Sequence, residues 1–295
     1  MNADRLEDVG LTLFGAEGLC PRSKVVISSS FQSAPTRLAM TKHAAIALYL
    51  FLVSTAFAGP VLEDTIEKSI PLDGNGIFSL RAIDGSVEIY GAEKNEVKIV
   101  ATRKAYSLER LNKIQIQISG QGDSLKVNTV APPQPRWGLR DRSGTVDYMI
   151  NLPQHARISS LEMPNGDLVI HGMRGAGVTV SLGNGRMIMH NCYCDQSLRL
   201  QRGTLNLFFD WNDLRPIVVD GTVVNGNIRA VVPDDSSFHL HAASEFGRVA
   251  SDFTEIQERK RGGVSQIDDV IGPAPVSRLL LRTTHGNINI SETMW

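Results

Sequence analysis

Leu161-Glu162-Met163-Pro164-Asn165-Gly166-Asp167-Leu168-Val169-Ile170-His171 is answered nineteen residues later by Val180-Ser181-Leu182-Gly183-Asn184-Gly185-Arg186-Met187-Ile188-Met189-His190. In both stretches apolar residues alternate with others up to an Asn-Gly pair and alternate again beyond it. Period two marks a strand with one buried face. Asparagine and glycine are the residues that most readily take positive φ, so the pair between the two runs reads as a corner. The unit is strand, turn, strand. It recurs at Gly85, Gly203, Gly226, Gly247 and Gly286, with Val87 and Ile89, Leu205 and Leu207, Ile228 and Ala230, Val249 and Ser251, and Ile288 and Ile290 two and four residues after the glycine.

From Gly166 to Gly247 the glycines stand 19, 18, 23 and 21 residues apart, a spacing that suits coils stacked along one axis. The expected fold is therefore all-β, a right-handed, β-solenoid-like stack of short strands with Asn-Gly turns. Three residues after each glycine stand Glu88, Val169, Ile188, Asn206, Arg229, Ala250 and Asn289, which should face away from the core. Between Gly85 and Gly166 the short period lapses. Strand-like runs at 97–101, 114–118, 125–130 and 146–152 predict an irregular β-hairpin lobe that precedes and caps the regular rungs.

The amino-terminal quarter is of another kind. Met40-Thr41-Lys42-His43 supplies a positive start, residues 44–55 an apolar run too short to span a bilayer, and Ala56-Phe57-Ala58 a small-x-small site before Gly59. Residues 40–58 are thus expected to be a secretory signal peptide, cleaved before Gly59. Residues 1–39 show no repeat or sustained amphipathic period and are expected to be an unstructured extension upstream of a start at Met40. Residues 59–72 read as a linker and 73–295 as the β-repeat domain.

A formal net charge of -1 gives no reason to expect nucleic acid as a partner. The run Arg259-Lys260-Arg261 reads as a solvated loop. No G-x-S-x-G elbow, H-E-x-x-H helix, phosphate loop or dinucleotide fingerprint is present, and Asp234-Asp235 and Asp268-Asp269 are adjacent pairs whose side chains diverge. No catalytic residue and no cofactor is expected. Cys192 and Cys194 follow His190, but one C-x-C with one histidine lacks the second ligand pair of a closed zinc site, so packed or locally bridged cysteines are the reading and no metal is expected.

His171 and His190 both stand five residues after a turn glycine, where other units carry Tyr90, Phe208 and Val231. Adjacent rungs would place the rings one above the other, as a core or corner packing column. His239 and His241 alternate with Phe238 and Leu240, which suggests one exposed strand face. The favoured contact surface is the proline-rich loop 132–142, where Arg136, Trp137 and Arg140 combine residue types common in binding sites.

The stretch from Ile83 to Gly91, the Asn-Gly-x-Leu-x-Ile pattern of Asn165 to Ile170, and the ending from Leu279 to Ile290 together resemble the bacterial putative-adhesin family, whose members are exported β-solenoid proteins. The resemblance covers about residues 73–295 and departs between Gly247 and Gly286, where a charged insertion replaces one turn. It implies a non-enzymatic protein of the cell envelope or surface, periplasmic, outer-surface or extracellular, that binds a protein or glycan or serves as a scaffold. Self-association is open to it, and membrane contact would come only through an uncleaved signal segment. The alternative is a β-helix enzyme acting on an envelope polysaccharide, which needs a groove of stacked acidic and basic residues.

Overall fold

The structure, a computed structural model, describes residues 60–132, 143–213, 215–253, 259–261 and 263–293. Among these the chain forms strands β1 (Leu62–Arg81), β2 (Gly85–Ala92) and β3 (Glu96–Ala105), the helix α1 (Leu108–Lys113), then β4 (Gln115–Ser119), β5 (Gly122–Val130), β6 (Thr145–Pro153), β7 (Arg157–His171), β8 (Val178–His190), β9 (Gln196–Phe208), β10 (Val218–Pro233), β11 (Phe238–Phe246), β12 (Val249–Ser251), β13 (Arg259–Arg261), β14 (Val264–Ile271), β15 (Ser277–His285) and β16 (Ile288–Thr293). Among the described residues the protein is all-β but for that one short helix, and all the strands belong to one mixed sheet.

The centre follows the period read from the sequence. β7, β8, β9 and β10 lie parallel, each beside its chain neighbour, and the repeats are in register: Asn165 opposite Asn184, Gly166 opposite Gly185 and then Gly203, and Gly203 opposite Gly226. One difference is local. At Gly166, Gly185, Gly203 and Gly226 the chain does not break into two strands joined by a turn; each strand runs on through its glycine. The glycine is a crease within a strand, at φ +138 to +145°. Arms on both sides of the crease feed one core, so Leu161 and Met163 before it and Leu168 and Ile170 after it are buried in the same cluster.

Glycine is required at the crease for two reasons. An L side chain is strained at this φ. A Cβ at Gly185 would also lie 1.8 Å from the carbonyl oxygen of Gly166, and one at Gly203 would lie 1.8 Å from that of Gly185. Gly247 has no positive φ, yet its Cβ would lie 1.8 Å from the Gly286 oxygen. Backbone approach between rungs therefore selects glycine even where the dihedral does not. Beside the creases runs a polar ladder: Asn165 Nδ2 donates to Asp84 Oδ1 at 2.7 Å, Asn184 Nδ2 to Asn165 Oδ1 at 2.7 Å, and Arg202 Nη1 to Asn184 Oδ1 at 3.3 Å.

The inward and outward registers agree with the alternation. Leu168, Ile170, Leu205, Leu207, Ile288 and Ile290 are all buried, whereas Val169 and Asn206 are half-buried and Asn289 is exposed. Each fully buried side chain of this size contributes about 1.5–3 kcal/mol, which makes a one-residue slip prohibitive.

The ends are not stacked in chain order. At the carboxy-terminal end β15 enters between β10 and β11, so that the rung of Gly286 separates Gly226 from Gly247. The charged insertion after Gly247 becomes the antiparallel pair β13–β14, laid against β11. At the amino-terminal end β2 lies between β6 and β7, with Gly85 opposite Gly166. The expected hairpin lobe is woven into the sheet rather than placed before it: β1 pairs antiparallel with β3 and parallel with β5 and β7, and β3 pairs antiparallel with β6. Residues 62–71, expected as linker, form the first half of β1 against β3. In this region Tyr148 is buried, and its hydroxyl shares a 2.6 Å hydrogen bond with that of Thr129; burial pushes its pKa up to about 12.

Candidate functional site

Two surfaces stand out once the register is known. The first lies on the outward side of the arms that follow the creases. Reading across the strands, Val100, Met149, Glu88, Val169 and Ile188 occupy successive paired positions. Met149 is 51% exposed, and Val169 and Ile188 are half-buried. The pairing then continues into Asn206, Arg229 and Asn289, so the apolar members of this strip, interrupted by Glu88 between Met149 and Val169, are confined to one half of the face.

Beside that strip runs the five-after-glycine column. Tyr90 and His171 stack with centroids 5.1 Å apart and planes at 5°, His171 and His190 are 4.9 Å apart, and His190 and Phe208 are 6.2 Å apart. The rings form the packing column expected of adjacent rungs, and of the two placements expected, core or corner, it stands outward and half-buried rather than in the core. Parity explains this, since the second and fourth residues after the glycine face inward and the fifth cannot. Burial, and then the neighbouring His190, hold the His171 pKa below its ordinary value, whereas Glu88 and Asp210 oppose that shift. Tyr90 donates to Glu88 at 2.9 Å, and His190 Nε2 lies 3.3 Å from Asp210 Oδ2. Only Tyr90 and His171 stack face to face; the His171–His190 and His190–Phe208 pairs are tilted, at 52° and 46°.

The second surface lies where segments between strands gather beside the carboxy-terminal rungs. Tyr193, Phe209, Trp211 and Phe238 line a cavity of about 70 Å³, with Val219, Val232 and Leu279 among its apolar walls. Residues 209–213 and 215–217 are tied in place. Tyr193 donates its hydroxyl to the Trp211 carbonyl at 2.7 Å, and the two rings are 5.2 Å apart. The Arg174 guanidinium lies 5.2 Å from the Tyr193 ring centre and 5.7 Å from that of Trp211, in cation–π range of both. Arg174 pairs with Asp213 at 3.0 Å and Arg215 pairs with the same carboxylate at 2.9 Å; hydrogen bonding to Arg215 holds the Asp213 pKa below the usual carboxylate range.

Arg136, Trp137 and Arg140, the favoured contact residues, lie outside the described residues, as do residues 1–59. Cys192 and Cys194 are buried free thiols; burial pushes the Cys192 pKa up to about 11 and raises that of Cys194 as well. Among the described residues no group of three or more His, Cys, Asp or Glu side chains is placed to hold a metal ion. His239 is exposed and Phe238 and Leu240 are buried, while His241 pairs with Asp268. The sequence reading missed the cavity. Its one signal is the 23-residue interval between Gly203 and Gly226, the longest of the regular set, whose surplus residues are the aromatic and charged run Phe209 to Arg215.

No protein-family profile and no curated protein matches the chain. Solved structures of bacterial putative adhesins do match it over about 78% of its length. A putative cell adhesion protein from Clostridium sporogenes is 14% identical, with 78% of this chain and 100% of that one covered and a TM-score of 0.47. A putative adhesin from Bacteroides fragilis is 9% identical, with 78% and 97% covered and a TM-score of 0.25. A putative lipid binding protein from Parabacteroides distasonis is 12% identical, with 79% and 97% covered and a TM-score of 0.29.

Proposed function

We propose that this chain is an exported, non-enzymatic protein of the cell envelope that binds another macromolecule through the outward face of its stacked strands, with β7 to β10 forming a right-handed β-solenoid-like body. The observation that carries the reading is the strip of Met149, Val169 and Ile188 beside the Tyr90–Phe208 column. Outward positions of a sheet with one solvated face are ordinarily polar, as Asn206, Arg229 and Asn289 are further along the same pairing. Apolar side chains gathered on a solvated face among polar ones, here Met149 on one side of Glu88 and Val169 and Ile188 on the other, mark an interaction surface. Export rests on the charged start, apolar run and small-x-small site of residues 40–58.

The alternative enzyme needs uncommitted carboxylates facing one another across a groove. Three outward carboxylates are tied across rungs to cations, Glu162 to Arg81 at 2.9 Å, Asp167 to Arg186 at 2.7 Å and Asp220 to Arg282 at 3.1 Å, and Glu88 accepts from Tyr90. Such pairs favour a stable surface over chemistry.

Sedimentation of the purified protein with isolated cell envelopes tests the proposal. The wild type should co-sediment, and the double variant Val169→Asp/Ile188→Asp should not, while keeping the wild-type far-ultraviolet spectrum. Equal sedimentation of both proteins would refute the strip as the binding surface.

A further inference from the structure

We propose that the cavity beside Trp211 is a binding site for a pyranose residue of a glycan, whose ring lies against the indole while one hydroxyl bonds to Ser236. The site is separate from the outward strip and does not depend on it.

Trp211 supplies the first ground. It is 45% exposed although it lines an apolar cavity, and it does not hang free. Tyr193 holds its backbone carbonyl, Arg174 spans its ring and that of Tyr193, and the Arg174–Asp213–Arg215 cluster anchors the segment that carries it, with the Asp213 side chain only 13% exposed. A half-exposed indole in a segment braced this way is pre-organised for a ligand, which lowers the cost of ordering it on binding.

Ser236 supplies the second and independent ground. It is 7% exposed and lines the same cavity, and its hydroxyl, which is open to solvent there, makes no hydrogen bond to the described residues. A ligand that covers this hydroxyl strips it of water, so a ligand that brings a hydrogen-bonding atom to it is favoured over one that leaves it unpaired. Ser237 and Ser277 also line the cavity, but they donate to the Pro273 and Arg215 carbonyls and have acceptor capacity to spare.

These two grounds select the ligand class. An aliphatic side chain of a protein partner would cover the aromatic walls and leave Ser236 unpaired. A pyranose has an apolar C–H face for the indole and hydroxyls for the serine. At about 70 Å³ the cavity is too small for a whole ring, so the ring lies across the mouth and an exocyclic substituent enters. Arg278 lines the cavity and has no ion-pair partner among the described residues, so a carboxylated pyranose should bind more tightly than a neutral one.

The test is isothermal titration of the full chain with hexasaccharides of glucose, N-acetylglucosamine, mannose and galacturonic acid. At least one should bind, the galacturonate most tightly. Trp211→Ala should weaken that binding about tenfold or more, and Ser236→Ala by a smaller factor, with thermal midpoints close to wild type. Arg278→Gln should remove the preference for galacturonate. The Val169→Asp/Ile188→Asp variant should bind the saccharide as wild type does, so failure of the strip and failure of this site are told apart. Absence of binding by every hexasaccharide, or equal binding by Trp211→Ala and the wild type, would overturn the proposal.

Discussion

The rungs of β7 to β10 and the two ends of the sheet are built from the same unit, yet they are assembled differently. In the centre every rung lies against its chain neighbour, and glycines 18 to 23 residues apart in sequence meet across a single strand spacing. At the ends the partner is remote: Gly85 meets Gly166, and Gly286 meets Gly226 ahead of Gly247. A rung is thus compatible with any other rung, because the crease, the Asn ladder and the inward apolar pairs form one repeating edge. Connection length does not decide the partner, since β9 and β10 pair across residues 209–217 whereas β10 and β11, joined by residues 234–237 alone, are separated by β15.

The sharpest way to break the comparison is at a central crease. Gly185→Val combines a disfavoured φ with a Cβ 1.8 Å from the Gly166 oxygen, and should cost at least about 3 kcal/mol in a denaturation midpoint. Gly122, at the amino-terminal end, also has positive φ (+69°), but a Cβ there would meet nothing within 4 Å. Gly122→Ala should cost only about 1 kcal/mol. Equal losses would mean that the dihedral, not the stacking of backbones, demands glycine.

A smaller effect should separate the polar device of the amino-terminal weave from the apolar packing of the centre. Tyr148→Phe strands the Thr129 hydroxyl, which is 5% exposed, and should destabilise by about 1–2 kcal/mol; the further change Thr129→Val should recover part of that loss. A double variant no more stable than Tyr148→Phe would show that the hydroxyl pair is not a unit.

The smallest effect is the pH dependence of the ring column. The folded pKa of His171 lies below its ordinary value of 6.5, so the unfolded chain binds the proton more readily. The stability this group contributes is fully present above pH 6.5. It falls as the pH drops from there toward the folded pKa and then levels off. His171→Gln should flatten the decline in thermal midpoint between pH 7.5 and pH 5. A variant with the wild-type slope would move the titration elsewhere.

Much of the centre was legible in the chain. The alternation around Asn165-Gly166 and Asn184-Gly185 placed Leu168, Ile170, Met187 and Met189 inward with the right parity, because side-chain direction along a strand is set by local geometry. The same parity, carried one residue further, would have put His171 and His190 on the outward face. The expected packing column is present, but residue type alone left its placement open between core and corner, and position decides it. The helix Leu108–Lys113, with Ser107 as its cap, was not foreseen; at six residues it is too short to show a period.

The sequence by itself determined the rung: its length, its two apolar arms, the glycine at its crease and the side each residue faces. These follow from φ preferences and period-two alternation within a few bonds of each residue. The tertiary structure alone decided the order of the rungs at the ends, the placing of Met149, Val169 and Ile188 on one face to either side of Glu88, and the meeting of Trp211, Tyr193 and Ser236 around one cavity. Backbone hydrogen bonds between strands are nearly indifferent to side-chain identity, so the choice of partner rests on the packing of the whole core and leaves no local mark in the chain.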